Sequence, residues 1–253
     1  MSGVLAVLYR EFLIRKTSPM WLFFDMMLPL LYLLLFGVGL NRAMGVGLQI
    51  DGSTVNYNEF FLAGVLAMSC FGSATNQSYG FFIDRDNGIF YEFLTYPLTR
   101  GQFLLGKILF QCIMSVVQCI LTVAVGVFLL DVLVKWEYMP FVFAGVMIGT
   151  AGWFFFLAIF AFLIRRNDTY NTVINVAYFV LIFLSSMFYP LEKVPPWLKV
   201  ASYINPLTWL TDGLRWFVIG LGDPLVVIVE SVSFFIFLLA SFWFALKALQ
   251  KAV

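Results

Sequence analysis

The sequence predicts an all-α polytopic membrane protein with six transmembrane helices, and three observations support that fold class. Hydrophobic residues make up 62% of the 253 residues and charged residues 11%, whereas soluble domains carry about 25% charged residues. Apolar runs of about 20 residues, the length that a membrane span requires, recur along the chain. Polar segments separate these runs, so a single transmembrane domain is expected over residues 1–253.

Composition also argues against several function classes. The net charge of +1 leaves no broad basic surface for a nucleic-acid partner. The chain contains no histidine, which removes the commonest general base and the commonest transition-metal ligand. We therefore expect neither a catalytic site nor a metal site. Cys70, Cys112 and Cys119 lie inside apolar runs and are interpreted as small buried hydrophobic residues.

Residues 1–20 are predicted to form an amphipathic helix that lies in the membrane interface. Leu5, Leu8 and Phe12 recur at helical spacing, with Arg10 on the opposite side. An ordinary N-terminal extension of the first span is the alternative. The segment does not resemble a cleaved signal peptide, because its apolar run is short and charged residues follow it.

The positive-inside rule gives the orientation of the spans. The six spans are expected at Trp21–Leu40, Phe60–Ile83, Leu104–Leu130, Met139–Ile164, Tyr170–Phe188 and Leu225–Leu246. With a cytoplasmic N-terminus, ten Lys and Arg residues fall on the cytoplasmic side and five on the outer side. Both termini are therefore predicted to be cytoplasmic, in a multi-pass protein of the inner or plasma membrane. The cytoplasmic ten are Arg10, Arg15, Lys16, Arg85, Arg100, Lys107, Arg165, Arg166, Lys247 and Lys251, and the outer five are Arg42, Lys135, Lys193, Lys199 and Arg215.

Several spans carry polar residues whose role stays open between structure and transport. Asp25 in span 1 either reaches the interface or marks function, since a charge in the bilayer is costly. Spans 2 and 5 carry small and polar residues that either pack helices closely or line a path. The candidate path residues are Ser73, Asn76, Asn171, Asn175 and Tyr178.

Two further helix faces are predicted to turn inward. In span 3, polar residues recur at spacings of four, three and four, which places them on one face. Glutamines on that face would be expensive against lipid, so it is expected to meet a neighbouring helix or an aqueous path. Span 4 offers a face of glycines suited to close packing. The span 3 residues are Gln111, Ser115, Gln118 and Thr122, and the span 4 glycines are Gly145, Gly149 and Gly152.

The stretch from Asp84 to Lys107 carries six charged residues between two apolar spans. Asn87 is expected to cap a short amphipathic helix that ends at Pro97. A membrane-surface loop without a partner is the alternative. Gly101 to Lys107 matches the first seven positions of a phosphate-binding G-x-x-x-x-G-K loop, but Ile108 replaces the Ser or Thr that would hold magnesium. We therefore expect no ATP hydrolysis by this chain.

The segment 190–224 is rich in proline yet still apolar. Leucines and phenylalanine recur in it at spacings of three and four, so two short helices that lie on or dip into the membrane are expected on the outer side. Trp197, Trp209 and Trp216 suit the membrane interface.

Two motifs resemble the membrane subunits of type-2 ABC exporters, in the drug and lipo-oligosaccharide branch. The stretch Arg85-Asp86-Asn87-Gly88 followed by Glu92 to Arg100 is similar to that family's "G-x-x-E-x-L-x-x-x-P-x-x-R" pattern between spans 2 and 3, with one-residue offsets. Near the C-terminus, Asn205 to Trp209 and then Asp212 to Arg215 resemble its "N-P-L-T-Y…D-x-x-R" stretch, with Trp209 in place of Tyr. The resemblance covers nearly the whole chain.

The resemblance implies that the chain is half of a dimeric twelve-span pore, paired with a second copy of itself or a homologous permease. Residues 84–103 would form a cytoplasmic coupling segment that docks a separate ABC ATPase subunit, and that subunit would bind ATP and Mg²⁺. The cargo would be an amphipathic drug, lipid or glycolipid. The implied coupling residues are Asp86, Gly88, Glu92, Phe93, Leu94, Pro97 and Arg100, and the outer motif comprises Asn205, Pro206, Asp212 and Arg215.

Two other classes compete with this function. An ATP-independent carrier or channel would need ion-coupling charges deep in the spans, and Asp25 and Glu230 are the candidates, both near span ends. A membrane enzyme is disfavoured by the missing histidine and by acids that do not pair within a predicted span.

Overall fold

The computed structural model describes residues 3–44, 47–50, 53–93, 95–96 and 98–251. Within them the chain is almost entirely helical. The helices are α1 (Gly3–Thr17), α2 (Pro19–Met44), α3 (Tyr57–Asp86), α4 (Ile89–Phe93), α5 (Arg100–Leu130), α6 (Met139–Leu163), α7 (Asn167–Phe183), α8 (Pro196–Ile204), α9 (Pro206–Ile219) and α10 (Pro224–Lys251). Short 3₁₀ helices cover Trp136–Tyr138 and Leu191–Lys193.

A two-stranded antiparallel hairpin joins α2 to α3. Strand β1 (Leu48–Ile50) pairs with β2 (Ser53–Val55), and Leu48 lies opposite Val55. Asn56 then starts α3, because its side chain accepts a hydrogen bond from the Asn58 backbone N–H at 3.1 Å.

Helix α3 lies at the centre of the bundle. It packs against α2, α5, α6 and α9, and almost every residue between Tyr57 and Ala74 is buried. Helix α10 packs against α6 and α9, and α1 packs against α5. The small and polar residues of α3 therefore lie in a helix that is surrounded by other helices, where small side chains allow close packing.

Glycines set several of the close contacts. A Cβ added at Gly149 would lie 2.7 Å from the Leu210 side chain, and one at Gly145 would lie 3.0 Å from Leu214. The predicted glycine face of α6 is thus confirmed as a packing surface: Gly145 and Gly149 meet α9, and Gly152 meets Phe234 of α10. The predicted inward face of α5 is also confirmed: Gln111, Ser115, Gln118 and Thr122 are all buried.

Large apolar side chains cover the outside of the bundle. Phe128 is 82% exposed, and α2, α5 and α10 each carry several half-exposed Leu, Ile, Phe or Val residues. A soluble protein rarely exposes apolar area of this extent. Four helices of the described chain are long and apolar enough to cross a membrane: Phe23–Arg42, Arg100–Leu130, Trp136–Leu163 and Pro224–Gln250.

The other two predicted spans differ from those four. Helix α3 is 30 residues long but more polar, and α7 has 17 residues and ends at Phe183, before the predicted end of span 5 at Phe188. The chain leaves the helix there because Met187 packs against α3, where a Cβ on Gly64 would lie 2.6 Å from Met187 Cγ. The six-span arrangement stays a prediction.

The N-terminal helix packs on the bundle through Val7 and Glu11. Leu5 and Phe12 are half-exposed, whereas Val7 and Glu11 are buried. A Cβ on Gly106 would lie 2.6 Å from Val7 Cβ, so α1 sits close against α5. The polar side of α1 therefore faces protein.

Candidate functional site

The candidate site is the connection between α3 and α5, where the sequence predicted a coupling segment. Helix α3 runs to Asp86, and Asn87 ends it as a C-cap, so the prediction that Asn87 begins the next helix was wrong. Gly88 then turns the chain with φ at +78°, a backbone conformation in which glycine avoids a Cβ clash. The turn sends the chain into the five-residue helix α4.

Helix α4 has one buried face and one exposed face. Phe90 is 1% exposed, and its ring centroid lies 5.7 Å from that of Phe81 and 5.5 Å from that of Phe103. Tyr91 and Glu92 point away from this aromatic cluster and are exposed. The aromatic anchor fixes α4 to α3 and α5, while its outer face stays free for contact.

Thr99 fixes the far end of the segment. Its side chain accepts a hydrogen bond from the Gln102 backbone N–H at 3.3 Å, and its own N–H donates to Gln102 Oε1 at 3.0 Å. This reciprocal capping box begins α5 at Arg100. Span 3 therefore starts earlier than the predicted Leu104, and the coupling segment is shorter than predicted.

Four charged side chains, which we call the α1/α3/α5 charge cluster, lie behind α4. They are Arg10, Glu11, Asp84 and Lys107. Arg10 donates to the two Asp84 oxygens at 3.0 and 2.6 Å and to Glu11 at 2.9 Å. Lys107 Nζ lies 2.7 Å from Asp84 Oδ2 and 3.1 Å from Glu11 Oε1. Since α1, α3 and α5 each contribute a member, the cluster ties three helices together.

Three members of the cluster are buried, and Arg10 is partly exposed. Lys107 is 2% exposed, and Glu11 and Asp84 are also buried. Burial alone would lower the pKa of the Arg10 guanidinium, but the hydrogen bond and charge of Asp84, and then those of Glu11, raise the pKa above its ordinary value. Arg10 therefore stays protonated at any physiological pH.

Contacts connect the cluster to α4. The Arg10 guanidinium carbon lies 5.3 Å from the Phe93 ring centroid, within cation–π range. Phe93 in turn packs on Phe103 with ring centroids 5.1 Å apart, and Lys107 Nζ lies 5.6 Å from the Phe103 centroid. Phe93 is the last residue of α4, so a displacement of α4 would move this ring. The ring would then press on Arg10 and on Phe103, and so on the charged members of all three helices.

Sequence reasoning did not identify this cluster, although a signal was present. Lys107 fell inside the predicted span 3, and a buried lysine in a span needs a partner. Its partners Glu11 and Asp84 are far away in the sequence, so no local spacing linked them.

The other predicted coupling residues divide by position. Asp86 and Glu92 are exposed, and Gly88 forms the turn. Arg100 points inward, and its Nη1 donates to the Leu249 carbonyl oxygen at 3.5 Å, near the end of α10. Leu94 and Pro97 lie outside the described residues.

Two of the candidate path residues use their polar groups inside the bundle. Ser73 donates to Gln118 Oε1 at 2.9 Å, and Asn76 donates to Asp25 Oδ1 at 2.6 Å. Asp25 also lies 3.1 Å from Arg15. These bonds join α1, α2, α3 and α5 at one level, so Asp25 has structural partners.

The remaining path candidates lie on α7. Asn171 is half-buried and Asn175 is exposed, and their side-chain amides donate within α7. Tyr178 stacks on Phe71 of α3 with ring centroids 5.0 Å apart. That leaves the Asn171 and Asn175 side of α7 facing away from the rest of the chain.

The outer motif binds the α9 region to α3. Asn205 caps α9 by accepting from the Leu207 N–H at 3.0 Å and donates to the Leu181 carbonyl at 2.7 Å, and Pro206 occupies the first turn. Arg215 pairs with Asp212, donates to the Ser186 carbonyl at 2.9 Å and lies 3.8 Å from the Phe60 ring centroid.

Apolar side chains on the outside of the bundle and several helices long enough to cross a membrane indicate a polytopic membrane protein. The family model of the ABC-2 type transporter matches residues 2–219. The chain therefore belongs to the ABC-2 type transporter permease family and is a membrane subunit of an ABC transporter. Membership implies an ABC ATPase as partner, and permeases of this family are typically non-enzymatic.

Curated relatives agree with this assignment. The putative transport permease ycf38 of Cyanophora paradoxa is 27% identical over 249 residues, covering 90% of this chain and 85% of the relative. The daunorubicin resistance ABC transporter permease protein DrrB1 of Streptomyces coeruleorubidus is 23% identical, covering 85% and 74%. The inner membrane transport permease YadH of Escherichia coli K12 is 24% identical, covering 81% and 80%.

Proposed function

We propose that this chain is the permease half of an ATP-driven exporter that moves an amphipathic drug, lipid or glycolipid. Two such halves, identical or homologous, form the pore, and both termini lie in the cytoplasm of a cell whose inner or plasma membrane holds the complex. A separate ATPase subunit binds ATP and Mg²⁺. The name of one relative links it to daunorubicin resistance, which supports a drug as one candidate cargo.

The observation that carries the proposal is the contact between α4 and the α1/α3/α5 charge cluster. A coupling element has to present one face to the ATPase and connect the other face rigidly to the spans. The exposed Glu92 and the buried Phe90 provide the two faces, and Phe93 lies against Arg10. A cleft of about 570 Å³ beside α4, lined in part by Asp86 and Tyr91, offers room for an ATPase side chain.

Transport would follow from rigid transmission. Closure of the ATPase pair pushes α4, and the cluster passes that displacement to α1, α3 and α5 together, because breaking a buried ion pair costs about 3–5 kcal/mol. The three helices then move as a unit and switch the access of the path between the two sides.

Reversal of charge at Glu92 tests the docking face. Glu92→Arg should reduce the ATPase retained with the affinity-purified permease about tenfold or more, because like charges at an interface cost several kcal/mol. ATP-driven uptake of daunorubicin into inverted vesicles should fall with it. Glu137→Arg is the matched control, since Glu137 is an exposed acid in the 3₁₀ helix before α6.

The coupling assignment is wrong if ATPase retention and transport survive both Glu92→Arg and deletion of Gly88–Arg100. An ATP-independent carrier is the competing function. It would be favoured by transport in proteoliposomes that contain the permease alone and no ATP.

A further inference from the structure

One buried acid at the outer end of the bundle lacks a partner. Glu230 of α10 is 5% exposed, and its Oε2 has no hydrogen-bond partner within the part of the chain that the structure describes. A buried carboxyl group that leaves one oxygen without a hydrogen bond carries a free-energy cost. Such a group is retained in a membrane span when it serves a function.

Glu230 lines a cavity of about 160 Å³ between α3, α9, α10 and the segment before α8. The nearby Arg215 has other partners. Its Nε and Nη2 donate to the carbonyl oxygens of Phe60 and Ser186, at 3.4 and 2.9 Å, and its Nη1 pairs with Asp212. All three guanidinium nitrogens are thus engaged, and Glu230 is left facing the cavity.

Among the described residues, the cavity wall carries more acidic than basic side chains. Two carboxylates besides Glu230 and Asp212 reach it, Glu192 and Asp223, and its cations are Arg215 and Lys199. Asp223 also accepts from the Leu225 N–H at 2.8 Å, which orients it at the start of α10. The excess of carboxylates favours a positively charged occupant.

Apolar groups complete the wall. Phe60, Leu221, Val226 and Val227 line the cavity alongside the charged groups, and Val226 is 44% exposed at its edge. A pocket for a whole drug-sized molecule holds about 300–1,000 Å³, so this one has room for a polar end and its first carbons. The rest of the occupant would extend along the exposed apolar side of α10.

We propose that this cavity binds the ammonium group of an amphipathic amine, with Glu230 as its counter-ion. The ammonium pairs with the Glu230 carboxylate, and the attached chain contacts Val226 and the neighbouring apolar wall. As a description of the transported cargo this inference rests on the proposed function. The binding itself needs neither ATP nor the ATPase.

The test is equilibrium dialysis of radiolabelled n-octylammonium against the full-length permease in nanodiscs, with empty nanodiscs subtracted. Wild type should bind it saturably, and n-octanol, which has the same chain without the charge, about tenfold or more weakly. Glu230→Gln, which keeps the side-chain size, should weaken n-octylammonium binding about tenfold or more and leave n-octanol binding unchanged.

Two variants keep the test decisive. Val226→Trp narrows the mouth without changing any charge and should also weaken n-octylammonium binding, whereas the exposed Glu137→Gln should not. Equal binding of n-octanol and n-octylammonium, or full binding by Glu230→Gln, would overturn the proposal. If ATPase docking fails while this binding persists, the proposed function is wrong and the amine site stands.

Discussion

The two buried charge clusters of this protein lie at opposite ends of the bundle and differ in how completely they are paired. In the α1/α3/α5 charge cluster each carboxylate contacts both cations, with distances between 2.6 and 3.1 Å. At the end that holds the outer motif, Arg215 pairs with Asp212, while Oε2 of Glu230, a residue that lines a cavity, makes no hydrogen bond.

This difference separates a mechanical element from a binding site. In a closed network the charged groups stabilise one another, and no group is left without a partner that a ligand could replace. An incomplete one carries an electrostatic cost that a ligand of the right charge removes. Substitutions at one end at a time should therefore change the free energy of unfolding by different amounts, and the substitution at Glu230 should act in the opposite direction.

The largest effect is expected at the closed cluster. Asp84→Asn should lower the free energy of unfolding by about 3 kcal/mol, because it leaves the buried Lys107 with a weakened set of partners. The measurement is reversible unfolding of the purified permease in mixed micelles. Asp86→Asn, two positions along and exposed, is the control and should change stability by less than about 0.5 kcal/mol.

A double-mutant cycle sharpens this result. Asp84→Asn combined with Lys107→Met should cost less than the sum of the two single changes, since the partners interact directly. Additive losses would mean that the two side chains are independent and that the cluster does not act as a unit.

A medium effect is expected where α3 meets the segment that supports the outer cluster. Gly64→Ala places a Cβ 2.6 Å from Met187 Cγ and 2.9 Å from the Met187 carbonyl oxygen, so the unfolding free energy should fall by about 1–3 kcal/mol. Gly80→Ala on the same helix meets nothing within 4 Å and should raise it by up to about 1 kcal/mol. Equal effects of the two substitutions on the melting temperature would contradict the close contact.

The smallest effect, and the one of opposite sign, is expected at Glu230. Glu230→Gln replaces a buried acid whose Oε2 makes no hydrogen bond with a neutral side chain of similar size. Stability should therefore stay constant or rise by up to about 1 kcal/mol without ligand. Thermal unfolding of ligand-free permease checks the sign. A loss of about 3 kcal/mol, as at Asp84, would show that the outer cluster is also closed and would break the comparison.

Local patterns in the sequence were sufficient for much of the fold. The inward face of α5 followed from the spacing of Gln111, Ser115, Gln118 and Thr122, because a polar face has to avoid lipid. The glycines of α6 predicted close packing because small residues let helix backbones approach each other. The end of α7 was missed because the contact between Met187 and Gly64 joins residues far apart in the chain.

The candidate site was predictable in part. The short helix expected between the second and third apolar segments is present as α4, while its coupling role stays a prediction. Asn87 was misassigned because Asn can cap either end of a helix, and the local sequence did not distinguish the end of α3 from the start of α4. Only the folded chain could show that Arg100 turns toward Leu249.

The sequence by itself determined the class of protein, the approximate spans and the polar connection between the second and third of them, since hydrophobicity, helical period and caps act over a few residues. The tertiary structure decided which charges meet. Arg10 and Asp84 are 74 residues apart in the chain, and the unpaired state of Glu230 depends on Arg215 having turned to Asp212 and two carbonyls. Pairing of this kind is a property of helix packing, because a carboxylate responds to whichever cation the fold brings within a few ångströms.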